Sequence, residues 1–174
     1  MKDIQNKPSK LYKKGEILQS PNASKSSVFY VKKGLLKSYL IDSKGKEHIY
    51  MFAPEGWIIG DLEAIEFNQP TELFVSCIED SEVIFYSKSR LFESDLTNEQ
   101  ILENAKALYR RIGRLQRRVL MLMGTPAVDR YKYFIKTYPD LLNRVPQHMI
   151  ASFLGIAPQT LSTLRKNMGR SENQ

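Results

Sequence analysis

The sequence contains one cysteine, Cys77, among its 174 residues. An internal disulfide is therefore excluded, as is a cysteine-rich zinc or iron–sulfur site built within one chain. Cys77 lies in the strand-like run LFVSCIED, where it reads as a small buried hydrophobe. Histidine is almost as scarce, and His48 and His148 are a hundred residues apart. There is no HExxH, no paired metal-ligand spacing and no P-loop. No catalytic constellation, metal site or cofactor is therefore expected, and the chain reads as non-enzymatic. Long apolar runs and lipid-anchor signals are missing too, so no membrane partner is expected. The opening MKDIQNKPSKLYKKGE lacks the apolar core of a signal peptide, which points to a cytoplasmic location. Internal repeats and low-complexity tracts are absent. The length suffices to bury a core, in one domain or two small ones.

Acidic residues are scarce in one part of the chain only. The formal net charge is +7. Residues 1–103 hold 13 Lys/Arg and 16 Asp/Glu, a net −3, whereas residues 104–174 hold 13 against 3, a net +10. A segment of that charge suggests a polyanion partner. A merely solvated basic face is the plainer alternative.

The most informative stretch that is present is QHMIASFLGIAPQTLSTLRKNM, Gln147 to Met168. Ile150, Ala151 and Leu154 form one apolar helical face. Gly155 follows, where a chain leaving a helix takes positive φ cheaply. Ile156 can plug the space between two helices, and Pro158 suits the first turn of the second. Leu161 and Leu164 give that helix a buried stripe, and Ala151 is small where the helices pass. The opposite face carries Gln159, Thr160, Ser162, Thr163, Lys166 and Asn167, all able to hydrogen-bond. This is the pattern of a helix-turn-helix, whose second helix enters the DNA major groove. An ordinary helical hairpin is the alternative, and the charge of this region favours double-stranded DNA as partner.

Residues 11–90 read as β-rich. GEILQS, SVFYVKKG, LLKSYLID, EHIYMFA, LFVSCI and EVIFYS are short runs between turn signals, with Gly34 and Asp42-Ser43-Lys44-Gly45 punctuating hairpins. Such spacing suggests a sandwich or barrel. Pro54-Glu55-Gly56 and Asn68-Gln69-Pro70 read as loop tips, and Trp57 as a core or rim aromatic. From Asn98 the period changes. Ile101, Ala105, Leu108, Ile112, Leu115, Val119 and Leu122 recur at spacings of 4 and 3, an a/d seam over three heptads. The helix is expected to start near Thr97, with Glu99 and Gln100 in its first turn, and to end by Gly124. A lone helix can pack such a stripe on its own β-domain, but the 3.5-residue period favours a parallel coiled-coil homodimer through Ala105, Leu108, Ile112, Leu115, Val119 and Leu122. Thr125-Pro126 reads as an N-cap and first helical residue. The helix that follows has Val128, Tyr131, Phe134 and Ile135 on its core face and is stopped by Pro139. Asn143 to Pro146 links it to the helix-turn-helix. The tail GRSENQ reads as polar and frayed. The expected domains are 1–96, 97–124 and 125–174.

This order resembles the CRP/FNR family of bacterial transcription regulators over about residues 10–168, a family whose catabolite activator is a standard helix-turn-helix example. The most specific matches are ASFLGIAPQTLSTLRK and GWIIGDLEAIE, the latter similar to the opening of the family's phosphate cassette. The resemblance implies an α+β fold: an N-terminal cyclic-nucleotide-binding-like β-roll, a long dimerisation helix and a C-terminal winged-type helix-turn-helix. The chain stops soon after the second helix, so the wing hairpin itself is expected to be missing. It also implies an effector pocket at Gly60, Asp61, Leu62, Thr71 and Glu72. In nucleotide-binding members an Arg-Ser pair holds the cyclic phosphate; here Thr71 and Glu72 occupy those positions. No arginine lies between Trp57 and Lys88, and Glu72 would repel a phosphate, so cyclic AMP is not expected to be the effector. A different small molecule, or none, is implied. RNA polymerase is a further partner of such regulators. Candidate DNA contacts are Arg144, Gln147, His148, Pro158, Gln159, Thr160, Ser162, Thr163, Arg165 and Lys166. Family members that read guanine often carry arginines at the positions of Pro158 and Thr163, so the operator is expected to differ. Gln159 can pair with adenine, and Arg165 and Lys166 can reach phosphates.

A signalling module that binds a cyclic-nucleotide-like ligand and acts through protein contacts is the competing function. A cupin-type barrel enzyme would need clustered metal ligands, and only His48 is available in the β-rich part.

Overall fold

The computed structural model of the protein describes residues 8–23, 26–86 and 97–171. The chain divides into two compact units, Met1–Asn104 and Ala105–Gln174. The first contains β1 (Lys10–Tyr12), β2 (Ile17–Gln19), β3 (Val28–Lys33), β4 (Leu36–Ile41), β5 (Glu47–Ala53), β6 (Ile58–Ile59), α1 (Leu62–Phe67), β7 (Phe74–Cys77) and β8 (Ser81–Tyr86). Two four-stranded antiparallel sheets result, ordered β1-β8-β3-β6 and β2-β7-β4-β5. Among the described residues neither sheet closes on itself, so the unit is a two-sheet roll and not a barrel.

The packing follows from strand periodicity. Along β3 the run VFYV is buried at every position. Phe29 and Val31 point into the core between the sheets, with Ile59 and Val83 of their own sheet and Leu36, Met51, Ala53, Val75 and Cys77 of the other. Val28 and Tyr30 turn the other way, onto Ile84, Tyr86 and Ile65 of α1. A strand covered on both faces needs a continuous apolar run, which β3 supplies. Trp57 is half-buried against the core between the sheets.

All six expected strand runs form strands. Three details differ. First, β3 and β4 lie in different sheets, so Gly34 marks a corner between sheets and not a hairpin. Only the Asp42–Lys46 segment makes a true hairpin there, joining β4 to β5. Second, the very short β1 and β6 lack a period long enough to read. Third, α1 was not expected. It is capped by Asp61, whose carboxylate accepts from the Ala64 N–H at 3.1 Å, and it ends at Asn68 with φ 52°.

Beyond the first unit the described residues form helices and turns only. The long helix α2 runs Asn98–Gly124 without a break at Gly113. Its start is a capping box: the Thr97 N–H donates to Gln100 Oε1 at 2.9 Å, and the Gln100 N–H donates to Thr97 Oγ1 at 3.3 Å. The helix α3 spans Ala127–Thr137. Thr125 is not its N-cap. The Thr125 N–H still donates to Met121 O at 3.1 Å, continuing α2, and Pro126 takes the cap position without a side-chain bond. Tyr131 and Phe134 are buried as expected, while Val128 and Ile135 are half-buried. Pro139 does stop α3, because the residue before a proline is driven out of the helical region; Tyr138 has φ −133°. A 3₁₀ turn (Pro139–Leu142) leads to α4 (Gln147–Leu154) and α5 (Pro158–Ser171). The expected fraying of GRSENQ is not seen in its first three residues, which are helical; the last three lie outside the described residues.

Candidate nucleic-acid interface

α4 and α5 are joined by a tight turn in which each of the last four α4 carbonyls has a partner. The last four carbonyls of a helix have no intrahelical partner. Here the Ile156 N–H donates to Ala151 O at 3.0 Å, and the Gly155 N–H to Ser152 O at 3.1 Å. Together they make a Schellman motif with Gly155 at φ 63°, as its position predicts. The other two carbonyls are taken from outside the helix pair. Arg118 donates through Nη2 to Phe153 O at 3.0 Å, and Arg130 through Nη1 to Leu154 O at 2.7 Å. The Arg118 guanidinium also lies over the Phe153 ring, 4.0 Å from its centre. Two cations at a helix C-terminus match the sign of the helix dipole there.

Under this turn, Ile150, Ala151, Phe153, Leu154 and Leu161 are buried. Ile156 and Leu164 are half-buried. Phe153 packs with Phe134 and Tyr138 at ring separations of 5.6 and 6.0 Å. Burial raises the Tyr138 hydroxyl pKa, a nearby Tyr133 adds to this, and Arg114 and Arg118 oppose it. The opposite face is open. Pro158, Gln159, Thr160, Ser162, Thr163, Arg165, Lys166 and Asn167 of α5 are exposed, as are Gln147 and His148 at the start of α4; Arg144 is half-buried. The Thr163 hydroxyl donates back to Gln159 O at 3.1 Å, which turns it from a free donor into an acceptor. The Ala157 carbonyl accepts from the Leu161 N–H at 3.2 Å, so Pro158 occupies the first helical position.

On α2 the heptad seam faces solvent. Ile101, Leu108, Ile112, Val119 and Leu122 are exposed, Ala105 and Leu115 are half-buried, and only Met121 is buried. The apolar surface is wider than the a/d stripe, because Leu102, Tyr109 and Met123 are exposed beside it. Each follows a d position by one residue, a recurrence that is interrupted only at Gln116.

In the first unit the structure brings Asp61 and Thr71 together and separates the other cassette positions. Thr71 is buried, and its hydroxyl donates to Asp61 Oδ2 at 2.8 Å. It accepts from Gln19 Nε2 at 3.2 Å and from the Leu73 N–H at 3.1 Å, so one donor and two lone pairs are all used. Gln19, also buried, is just as fully engaged. Its Nε2 donates again to Leu73 O at 3.4 Å, and its Oε1 accepts from the Ser26 hydroxyl at 3.3 Å and the Ser27 N–H at 3.1 Å. Gly60 is buried for a packing reason, since a Cβ there would lie 2.5 Å from Ser27 O. Leu62 and Glu72 are exposed. Gln19 was not singled out from sequence; its contact with Thr71 crosses 52 positions, and a lone glutamine near a strand end carries no signal. Among the described residues, no three His, Cys, Asp or Glu side chains cluster to hold a metal ion. No helix is long and apolar enough to cross a membrane among those residues.

Comparison with known proteins agrees with this geometry. Residues 9–94 match the family model for the cyclic nucleotide-binding domain. No curated protein matches the chain. Among solved structures, FixK2 from Bradyrhizobium japonicum superposes with a TM-score of 0.75 at 19% identity, over 95% of this chain and 85% of that one. The c-di-GMP-responsive global regulator CLP from Xanthomonas campestris gives 0.71 at 17% identity, over 95% and 87%. A CRP/FNR-family transcriptional regulator from Thermus thermophilus gives 0.69 at 15% identity, over 94% and 87%. Residues 9–94 thus resemble the cyclic nucleotide-binding domain, and the chain shares its fold with these regulators.

Proposed function

We propose that this chain is a homodimeric, sequence-specific, DNA-binding transcription regulator of the cytoplasm that does not respond to cyclic AMP. The observation that carries the reading is the exposed polar face of α5 on a helix-turn-helix whose turn carbonyls are all bonded, within a segment of net +10. Residues 1–96 act as the sensor-type domain, 97–124 as the dimer helix and 125–174 as the DNA reader. Gln159 and the hydroxyl residues of α5 contact base edges, while Arg144, Arg165 and Lys166 neutralise phosphates. The exposed seam of α2 supports association with a second copy, which would place two reading helices on half-sites about 34 Å apart. RNA polymerase is the further partner such a regulator would meet.

The saturated Gln19–Thr71–Asp61 network supports the negative half of the reading. A buried cyclic phosphate needs charge-assisted donors. Thr71 has none to spare, and the nearest ionisable partner, Asp61, is a carboxylate. Glu72 is at the surface, so the missing cation weighs more than repulsion by Glu72.

Selection of bound duplexes from random DNA tests the whole. A pseudo-palindromic preference is expected, with affinity that falls steeply with salt and is unchanged by cyclic AMP. Equal binding to all sequences at physiological salt would refute the regulator. Micromolar calorimetric binding of cyclic AMP would refute the effector part.

A further inference from the structure

We infer that Arg118 and Arg130 are positioning residues that clamp the α4–α5 turn to the end of α2 and the start of α3, so that the reading face of α5 follows the orientation of the dimer helix. Three observations meet at one point. Arg118, a residue of α2 itself, holds the Phe153 carbonyl and covers the Phe153 ring. Arg130, on α3, holds the neighbouring Leu154 carbonyl. Gly155, the pivot of the turn, sits close against both helices: a Cβ there would lie 3.1 Å from Leu122 Cδ2 on α2 and 3.4 Å from Arg130 Nη1.

The turn therefore touches α2 through a cation, a ring and a leucine, with no flexible linker between them. Each bond also serves a helix terminus that water would otherwise solvate. Releasing the clamp exposes two carbonyls and frees the turn from α2, while the Schellman bonds keep α4 and α5 joined to each other. The helix-turn-helix would then keep the Phe134 and Tyr138 rings of the α3 segment against Phe153 but lose its register on α2. A contact of this kind couples the orientation of one helix to that of the other. The assignment also removes two of the 13 cations of residues 104–174 from the phosphate-binding count.

The DNA consequence rests on the function proposed above, whereas the clamp itself does not, and the test separates them. Spin labels at Lys106→Cys and Gly169→Cys, diluted with unlabelled chain, report the distance from α2 to α5 within one chain. A single narrow distribution is expected with the arginines intact, and a broadened or shifted one in Arg118→Ala/Arg130→Ala. An unchanged distribution overturns the clamp, whatever the DNA results. Should the double variant lose helix content by circular dichroism, Arg118→Lys decides by the same measurement: it keeps the charge but loses the planar cover of Phe153. On DNA, the alanine pair should lower affinity for the preferred duplex at least tenfold and for random duplex less than twofold, at an unchanged salt slope. Equal loss on both duplexes, with the slope reduced by about 0.9 for each arginine, would mean that they are phosphate contacts. Wild-type protein without sequence preference would refute the regulator but leave the distance result standing.

Discussion

Replacing Thr71 with valine tests whether the roll interior is sealed by its own side chains. Valine matches threonine in shape and deletes only the hydroxyl, so packing is nearly preserved. Three hydrogen bonds go with it: to Asp61 at 2.8 Å, from Gln19 at 3.2 Å and from Leu73 at 3.1 Å. Asp61 is half-buried and regains water, so its loss is partly offset. Gln19 keeps Leu73 O as an acceptor for its carboxamide. The Leu73 N–H loses the partner it has in Thr71. Leaving buried donors under-satisfied costs about 1–3 kcal/mol, here at the buried Gln19 carboxamide and the half-buried Leu73 N–H together, and the charge-assisted bond to Asp61 adds part of a similar amount. The sum is a destabilisation of about 2–3 kcal/mol, or a fall in Tm of about 10–20 °C for a domain of this size. Trp57 is the only tryptophan and packs on the core of this unit, so its fluorescence in a urea titration follows the roll alone. Thr71→Ser keeps the hydroxyl and should lose only the methyl, about 1 kcal/mol. If Thr71→Val is within 0.5 kcal/mol of wild type, or more stable than Thr71→Ser, the network does not hold the interior and the argument against a polar effector fails.

Four other outcomes follow from the same structure. Cys77 is buried and its thiol is pushed up to about 11, so a thiol reagent at pH 8 should leave the native chain unlabelled and react fully only in denaturant. The Asp42 carboxyl, bonded to His48 and to the Lys44 and Lys46 N–H groups, is lowered from 3.8 to about 2; its contribution to the β4–β5 hairpin is complete above 3.8 and is lost as pH falls through about 2, with a carboxyl NMR titration as readout and an upward shift expected in His48→Ala. Gly113→Ala should raise thermal stability by about 1 kcal/mol, because a Cβ there meets nothing within 4 Å and alanine is the better helix former. Ile112 is 49% exposed, so roughly half of its 1.5–3 kcal/mol remains to be gained by association; Ile112→Glu with Leu115→Glu should sediment as monomer where wild type sediments as dimer, and a monomeric wild type at micromolar concentration would contradict the seam.

What could be read from sequence was local. The start of α2, the Gly155 turn and the position of Pro158 each depend on residues within a few places of one another, and each lies where its chemistry predicts. The strands of the roll were legible for the same reason, as short apolar runs between turn signals. Which sheet each strand joins was not, because the corner at Gly34 and a hairpin glycine carry the same local signal. Thr125 was misplaced by its own good capping chemistry, which lost to a last hydrogen bond of α2.

The polar contacts that give the site its character span long separations: 52 positions from Gln19 to Thr71, 35 from Arg118 to Phe153 and 24 from Arg130 to Leu154. Periodicity tells which face of an element is apolar, but it says nothing about which cation meets which carbonyl. Arg118 shows the consequence. In sequence it is one of five arginines within nine residues of α2, all of them plausible phosphate contacts by charge alone. In space its donor points at Phe153 O and its plane covers a ring, so its charge is spent inside the protein. The net +10 of residues 104–174 therefore bears on a polyanion partner only through the cations that α4 and α5 leave exposed.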